Sequence, residues 1–215
     1  MSGQFLGAIF DLDGTLLDSM HVWSGIDVAF LKKRGLAVPK GYAEVLAPLT
    51  FRETAEYTIE LFRLKETPEA IMAEWNRMAV DAYSREVEMK PHAKDYLSHL
   101  KQKGIKLSVC TALSPELYVP ALEHHGILRW FDAIVTTDEV NSNKSLPRPF
   151  IAAAERMRVP PEKCLVFEDI PAAAQGALDA GMTVCGVFDD SKNETEMQSL
   201  CQYFIYDFSE AETII

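Results

Sequence analysis

The chain has 215 residues, of which 48% are hydrophobic and 25% are charged, with 11 Gly and 11 Pro. This composition is that of an ordinary globular protein, and it excludes collagen, a disulfide scaffold and a disordered tract. The formal charge of -11 disfavours nucleic acid and anionic membranes as partners, because a negative surface repels both.

Short apolar runs alternate with helical patterns along most of the chain. Six runs are predicted to be buried strands, at residues 6–10, 106–110, 133–135, 165–167, 183–187 and 204–206. Helices are predicted between them at 94–103, from the cap residue Ser114 onward, at 149–157 and at 171–180. This alternation predicts an α/β fold with a parallel sheet covered on both faces, whose ligands bind at the carboxyl ends of the strands.

The interval from Ser19 to Met89 departs from this alternation because it contains no convincing strand. Helices are predicted there at 19–34, 51–63 and 69–85. We therefore predict an α/β core made of residues 1–17 and 90–215, with residues 18–89 inserted as a small all-helical domain.

The first strand leads into a motif with two acids, Asp11 and Asp13. Residues i and i+2 of a strand point the same way, so the two carboxylates share one side, and Gly14 permits the turn that follows. At ~4 Å and an effective dielectric near 20 their repulsion is about 4 kcal/mol, which a proton or a cation must offset. Taken alone, the motif also suits an Asp-rich turn.

Polar residues at the ends of three later strands strengthen the functional interpretation. Thr111, Lys144 and the pair Glu168-Asp169 each lie at or just past such an end. In a parallel sheet these groups meet at one edge. Oxygen ligands without His or Cys favour Mg²⁺, and a lysine can balance the charge of a bound phosphate.

The motif Phe-Asp-Leu-Asp-Gly-Thr-Leu-Leu-Asp at 10–18, followed in order by Thr111, Lys144 and Phe-Glu-Asp at 167–169, resembles the haloacid dehalogenase-like (HAD) superfamily. More narrowly, it resembles the phosphatases and β-phosphoglucomutases that carry a helical cap after the first strand. The resemblance covers nearly the whole chain. It implies a three-layer, Rossmann-like core with an inserted cap.

The resemblance also implies catalytic roles. Asp11 would be the nucleophile that forms an aspartyl-phosphate, and Asp13 the general acid and base. Thr111 and Ala112 would bind the phosphoryl group, and Lys144 would orient both Asp11 and the phosphate.

The implied cofactor is Mg²⁺, with Asp11, Asp13, Glu168 and Asp169 as the metal-site residues. Asp11, Asp169 and the Leu12 carbonyl beside Asp13 would contact the ion. Glu168 is either a ligand or an acceptor behind the ligands, and the sequence leaves these alternatives open.

His21 and Arg52 are the predicted substrate-binding residues of the cap. Trp23 could line the same pocket or pack between helices. Arg52 could instead form a surface ion pair with Glu56 at i+4.

The implied activity is a Mg²⁺-dependent phosphatase for a small phosphorylated metabolite, with a sugar phosphate as the expected class. The alternative is a β-phosphoglucomutase-like phosphotransferase that uses the same nucleophile. Those mutases resemble one another in a His ten residues after the general acid, where this chain has Trp23, with His21 two residues away. Dehalogenases lack the second Asp, and phospho-accepting receiver modules are shorter and order these groups differently.

Two departures from the family pattern bear on the site. The lysine motif is commonly Gly-Lys-Pro-x-Pro-Asp, whereas residues 143–149 read Asn-Lys-Ser-Leu-Pro-Arg-Pro. Ile170 stands where a small polar residue is common. The acidic pairs Asp138-Glu139 and Asp189-Asp190 are interpreted as solvated loops.

Cysteine and histidine positions bear on metal and compartment. The four cysteines show no C-x-x-C spacing, and the adjacent pair His124-His125 is wrongly spaced for one helix face, so zinc is disfavoured. No apolar run approaches the ~20 residues that span a bilayer, and no signal peptide is predicted. We expect a cytoplasmic monomer or weak homodimer.

Overall fold

The structure, a computed structural model, describes residues 5–46, 51–189 and 191–215. The chain divides into two compact units. One joins Met1–Ser19 to Val87–Ile215, and the other is Met20–Glu86. The boundaries predicted from the sequence were 18 and 89.

The first unit is built on one parallel sheet. Its strands are β1 (Gly7–Phe10), β2 (Lys106–Thr111), β3 (Ala133–Thr136), β4 (Cys164–Glu168), β5 (Thr183–Val187) and β6 (Tyr203–Ile205), in the order β3-β2-β1-β4-β5-β6. The α/β fold class predicted from the alternation is confirmed. Strand β1 lies at the centre, so the motif that follows it opens at the middle of the carboxyl edge.

Helices cover both faces of this sheet. They are α5 (Ala93–Gln102), α6 (Pro115–His124), α7 (Arg148–Met157), α8 (Pro171–Asp179) and α9 (Ser191–Leu200), with 3₁₀ turns at Leu128–Trp130, Pro161–Lys163 and Glu210–Thr213. Ile9 and Val166 belong to a buried cluster with α7 and α8. Phe10 and Phe167 face the other way and stack at a centroid distance of 4.7 Å, with Tyr96 of α5 against both. This alternation produces the three layers.

The second unit contains α1 (Met20–Lys33), α2 (Tyr42–Leu46), α3 (Phe51–Phe62) and α4 (Pro68–Arg85). In its core, the ring centroid of Trp75 lies 5.3 Å from that of Phe30 and 5.6 Å from that of Phe51. Thr67 caps α4 by accepting a hydrogen bond from the Ala70 N–H. As predicted, the described part of this unit contains no strand of the sheet.

Several predicted bounds require correction. The last strand is Tyr203–Ile205 rather than 204–206, and the sequence analysis identified neither α2 nor α9. Ser114 occupies the predicted cap position of α6, but its side chain makes no capping hydrogen bond. Strand β2 extends one residue further than predicted, so that Thr111 is its last residue.

The two chain segments that lead into and out of the helical insertion are paired within the first unit. The Asp18 N–H donates to the Glu88 carbonyl at 2.9 Å, and the Lys90 N–H donates to the Leu16 carbonyl at 2.9 Å. Leu17 and Met89 form an antiparallel bridge between these bonds.

None of the helices in the described ranges is long and apolar enough to cross a membrane.

Candidate active site

The site begins where β1 ends. The Asp11 N–H donates to the Phe167 carbonyl at 3.1 Å, which extends the β1–β4 ladder by one residue and brings Asp11 beside Glu168. Asp11 is only 5% exposed. Two residues on, the Asp13 carboxylate accepts a hydrogen bond from the Ser19 hydroxyl at 2.6 Å.

The loop after Asp13 packs tightly against Asp169. Gly14 has φ +78°, and a Cβ there would lie 2.5 Å from Asp169 Oδ2, so the position admits only glycine. The Thr15 hydroxyl donates to Asp169 Oδ1 at 2.8 Å. The Leu12 carbonyl accepts the N–H groups of Thr15 and Leu17 within this loop. Its predicted contact with the metal stays a prediction.

Lys144 lies between two buried carboxylates. Its Nζ is 2.6 Å from Asp11 Oδ1 and 2.8 Å from Glu168 Oε2. The Lys144 side chain is 10% exposed, and that of Glu168 is fully buried. The structure therefore brings Asp11 together with two groups that lie more than 130 residues further along the sequence, despite the unusual lysine motif.

Both Glu168 oxygens accept hydrogen bonds from the protein. Oε1 accepts the N–H groups of Asp169 and Ile170, each at 3.1 Å, and Oε2 accepts Lys144. These bonds hold the turn that leads into α8. They favour the second alternative for Glu168, in which it accepts hydrogen bonds and supports the metal-binding residues without contacting the ion.

Three acids form a compact cluster at this edge. Asp11, Glu168 and Asp169 are buried, and each offers a carboxylate oxygen that lies within 4.8 Å of the other two. Among the described residues, this cluster does not include the Asp13 carboxylate, which was predicted to be at the metal site. A set of carboxylate oxygens alone is chemically suited to Mg²⁺.

Burial and mutual repulsion shape the electrostatics of the cluster. Burial raises the pKa of Asp11 above its ordinary 3.8, Lys144 opposes the rise, and Glu168 adds to it. Burial, followed by Glu168 and Asp11, raises the pKa of Asp169 as well. Burial disfavours the charged form of Lys144, but Asp11 and Glu168 outweigh it and raise the lysine pKa. The carboxylates therefore exceed what a single lysine neutralises.

Thr111 lies at the carboxyl end of β2 and is almost fully buried. Its Oγ1 accepts the Leu113 N–H at 3.0 Å, so that its own O–H can donate to an anion. Ala112 follows it and is exposed. Thr111 thus has the geometry that the predicted phosphoryl contact needs, and its role stays a prediction.

The predicted cap residues have contacts within the helical unit. His21 is exposed, and Trp23 places its ring edge-on to Phe51 at a centroid distance of 6.0 Å. Arg52 pairs with Glu69 at 2.9 Å, and its distance to Glu56, the partner expected from sequence, is 3.9 Å. The substrate roles of His21 and Arg52 stay predictions.

One acidic loop was misinterpreted as solvated. Asp189, two residues after the end of β5, forms an ion pair with Lys90 at 2.5 Å, and both side chains are largely buried. Asp190 lies outside the described residues. In the other pair, Asp138 is exposed, whereas Glu139 pairs with Arg156 at 2.6 Å.

Two hydroxyls that donate hydrogen bonds to acids of the site, those of Thr15 and Ser19, were not predicted from the sequence. Thr15 belongs to the motif at 10–18 and Ser19 follows it directly, and this position was the available signal. Their partners, Asp169 and Asp13, could not be assigned without the fold.

Comparison with known proteins identifies the family. The sequence model described as haloacid dehalogenase-like hydrolase matches residues 8–187. Hexitol phosphatase A of Escherichia coli is 32% identical over 189 residues, with coverage of 84% of this chain and 82% of the relative. The fructose-1-phosphate phosphatase of the same organism is 29% identical over 187 residues, with coverage of 87% and 98%.

A solved structure has the same fold as this chain. It is a putative β-phosphoglucomutase from Thermotoga maritima, with a TM-score of 0.82, 24% identity and coverage of 93% of both chains. The chain belongs to the haloacid dehalogenase-like hydrolases, as an enzyme of their phosphatase class.

Proposed function

We propose that the chain hydrolyses small phosphorylated sugars through a covalent aspartyl-phosphate on Asp11, with Mg²⁺ as cofactor. One observation carries the proposal: the Lys144 ammonium lies 2.6 Å from Asp11 and 2.8 Å from Glu168, beside Asp169. A nucleophilic carboxylate, a cation for the phosphate and a set of hard oxygen ligands thus share one buried cluster.

The donor set supports Mg²⁺ because it contains carboxylate oxygens only. Asp11 and Asp169 would hold the ion, and Glu168 would support them through its bonds to Lys144 and to the start of α8. When bound, Mg²⁺ supplies positive charge that offsets the repulsion between the phosphate and the carboxylates.

In the first half-reaction, an Asp11 oxygen attacks phosphorus and the bond from phosphorus to the sugar oxygen breaks. Lys144 holds the attacking carboxylate, and the Thr111 hydroxyl and the Ala112 N–H bind phosphoryl oxygens. Asp13 gives its proton to the departing sugar oxygen, and Ser19 orients the Asp13 carboxyl through its 2.6 Å hydrogen bond.

In the second half-reaction, water attacks the phosphorus of the aspartyl-phosphate. Asp13, now a carboxylate, takes the proton of this water. The bond between phosphorus and the Asp11 oxygen breaks, which restores the Asp11 carboxylate and releases inorganic phosphate.

The sugar-phosphate class is supported by the relatives, whose names give hexitol phosphates and fructose 1-phosphate as their substrates. A cytoplasmic location is supported by the four cysteines, which are free thiols, three of them buried. The absence of nucleic-acid and membrane partners is our expectation from the net charge of -11.

The test is phosphate release from a panel of hexose, hexitol and pentose phosphates, with Mg²⁺ and with EDTA. We expect Mg²⁺-dependent release, and we expect Asp11→Asn to lower kcat by at least about 10³-fold because the variant lacks the nucleophile. Asp18→Asn is the matched control, because Asp18 ends the same motif and is exposed.

An active Asp11→Asn variant, or turnover undiminished by EDTA, would contradict the mechanism. Interconversion of sugar 1- and 6-phosphates without net release would instead identify a phosphotransferase that uses the same nucleophile.

A further inference from the structure

Gly176 is a buried glycine inside helix α8, in the alanine-rich sequence Pro-Ala-Ala-Ala-Gln-Gly-Ala-Leu-Asp. Glycine is the poorest helix former after proline, so alanine would suit the helix better here. Gly176 also does not have a positive φ, so its backbone conformation does not require glycine. The reason for glycine must be the space around it.

The space beside Gly176 is filled by the loop that carries Lys144. A Cβ on Gly176 would overlap the Lys144 carbonyl oxygen, and it would lie 3.0 Å from the Ser145 carbonyl carbon and 3.1 Å from the Leu146 nitrogen. All three are backbone atoms, so no side-chain rotation relieves the contact. Only glycine lets this loop lie against α8.

The same loop is braced around Lys144 by its neighbours. Asn143 Oδ1 accepts the N–H and the hydroxyl of Ser145, at 3.1 and 2.5 Å. The Leu146 N–H donates to the Asn143 carbonyl at 3.3 Å. The family pattern often has proline at the position of Ser145, and a proline has no N–H to donate. Here hydrogen bonds that Ser145 and Leu146 donate to Asn143 hold the turn. A displacement of the Lys144 carbonyl would therefore move the lysine itself.

We propose that Gly176 is a positioning residue for Lys144, with Asn143 as its counterpart on the other side of the loop. Gly176 gives the lysine backbone room against α8, and Asn143 closes the turn. Together they set the reach of Lys144 Nζ to Asp11 and Glu168, at 2.6 and 2.8 Å. The kinetic part of this inference rests on the proposed function.

The first test is a double-mutant cycle of Gly176→Ala and Lys144→Met, measured by phosphate release with Mg²⁺. A displacement near 1 Å at a reacting group costs about 10²-fold, so we expect Gly176→Ala to lower kcat by about 10- to 100-fold. Because the lysine acts on the reacting groups, KM should change by less than about 3-fold.

The cycle separates positioning from a general structural effect. In the Lys144→Met background, Gly176→Ala should lower kcat by less than about 2-fold, because the group it positions is gone. An equal loss in both backgrounds overturns the proposal. Gly25→Ala is the matched control, since Gly25 lies inside α1 with no atom within 4 Å of an added Cβ. Its kcat should stay at the wild-type value.

Asn143→Ala keeps the proposal testable if Gly176→Ala does not fold, because the Asn143 side chain is exposed. We expect about a 5-fold loss of kcat from the open turn, again confined to the background that has Lys144. The same loss in the Lys144→Met background overturns the proposal.

Urea unfolding distinguishes failure of this inference from failure of the proposed function. If the wild type releases no phosphate, the proposed function fails. The double-mutant cycle is then measured as the urea concentration at the midpoint of unfolding. Gly176→Ala should lower the midpoint less in the Lys144→Met background, where no ammonium must stay against Asp11. Equal shifts in both backgrounds overturn the positioning role.

Discussion

Each of the two units contains a cluster of ion pairs built from similar groups, but the carboxyl pKa is raised in one cluster and lowered in the other. In the core, Lys144 meets Asp11 and Glu168, and burial raises the pKa of Asp11. In the helical unit, Arg34 lies 2.7 Å from Glu74 and 2.8 Å from Glu66. Hydrogen bonds from Arg34, which outweigh the effect of burial, lower the pKa of Glu74 to about 2.

The difference is one of charge balance. Glu74 and Glu66 face two cations, Arg34 and Lys33, so each carboxylate has a partner. In the core a single lysine faces three buried acids. We propose that the balanced cluster stabilises packing and that the surplus of negative charge in the core attracts a cation. Three predictions test this contrast.

The largest effect is expected for Lys144→Met. Removal of the Lys144 ammonium leaves the buried carboxylates without a cationic partner. We expect this loss to lower the free energy of unfolding by about 3 kcal/mol. We expect kcat to fall by about 10²- to 10³-fold. Chemical denaturation and steady-state kinetics measure the two effects.

The comparison variant is Arg52→Met in the helical unit, whose pair with Glu69 is exposed on both sides. It should cost less than about 1 kcal/mol. Equal destabilisation by the two substitutions would contradict the contrast. The effect of Arg52→Met on KM separately tests the predicted substrate role of Arg52.

The second effect is stabilisation by Mg²⁺. The pKa values of Asp11 and Asp169 are raised, so the folded state binds these protons more tightly than the unfolded chain does. Their contribution to stability is therefore present at low pH and is lost as pH rises above 3.8 through the folded values. A cation that replaces the protons should stabilise the folded state by about 2.7 kcal/mol at pH 8 when present at 100 times its Kd, and by less at pH 5.

Thermal unfolding at both pH values, with and without Mg²⁺, measures this effect. Asp169→Asn should abolish the Mg²⁺ shift, whereas Asp18→Asn should keep it. A shift of equal size at pH 5 and pH 8 would argue against an excess of negative charge in the core.

The smallest of the three predicted effects is that of Glu74→Gln in the helical unit. Loss of its bonds to Lys33 and Arg34 should cost about 1.5 kcal/mol at pH 7, with kcat unchanged. Because the pKa of Glu74 is lowered from 4.5 to about 2, its stabilisation is full above pH 4.5 and is lost as pH falls toward 2.

Urea denaturation of the wild type and the variant at pH 7, 4.5 and 3 should show the difference shrinking. A constant difference across this range, or a change in kcat, would place Glu74 outside a purely structural role.

The sequence predicted those parts of the fold that leave a local pattern. Strand β5 was located at its true bounds because its apolar run is uninterrupted. Helix α9 was missed because it is polar along most of its length, and within its described side chains only Met197 is fully buried.

The site was predictable where residues end strands, and much less so where they meet across the fold. Asp11 follows β1 and Glu168 ends β4, and these strands are paired, so the proximity of the two acids follows from the register of Phe10 and Phe167. The bond from Thr15 to Asp169 spans 154 positions, and the fit of Gly176 against Lys144 depends on how a loop packs on a helix. Such contacts leave no periodicity in the chain.

The paired segments around Leu17 and Met89 have a consequence for the evolution and engineering of this protein. Their hydrogen bonds hold the entry and exit of residues 20–86 side by side on the α/β unit. A chain that leaves and returns at adjacent points can exchange everything between them without stretching the sheet. Helical segments of other lengths can therefore be exchanged at this junction while the parallel sheet and the acidic cluster at its carboxyl edge stay unchanged.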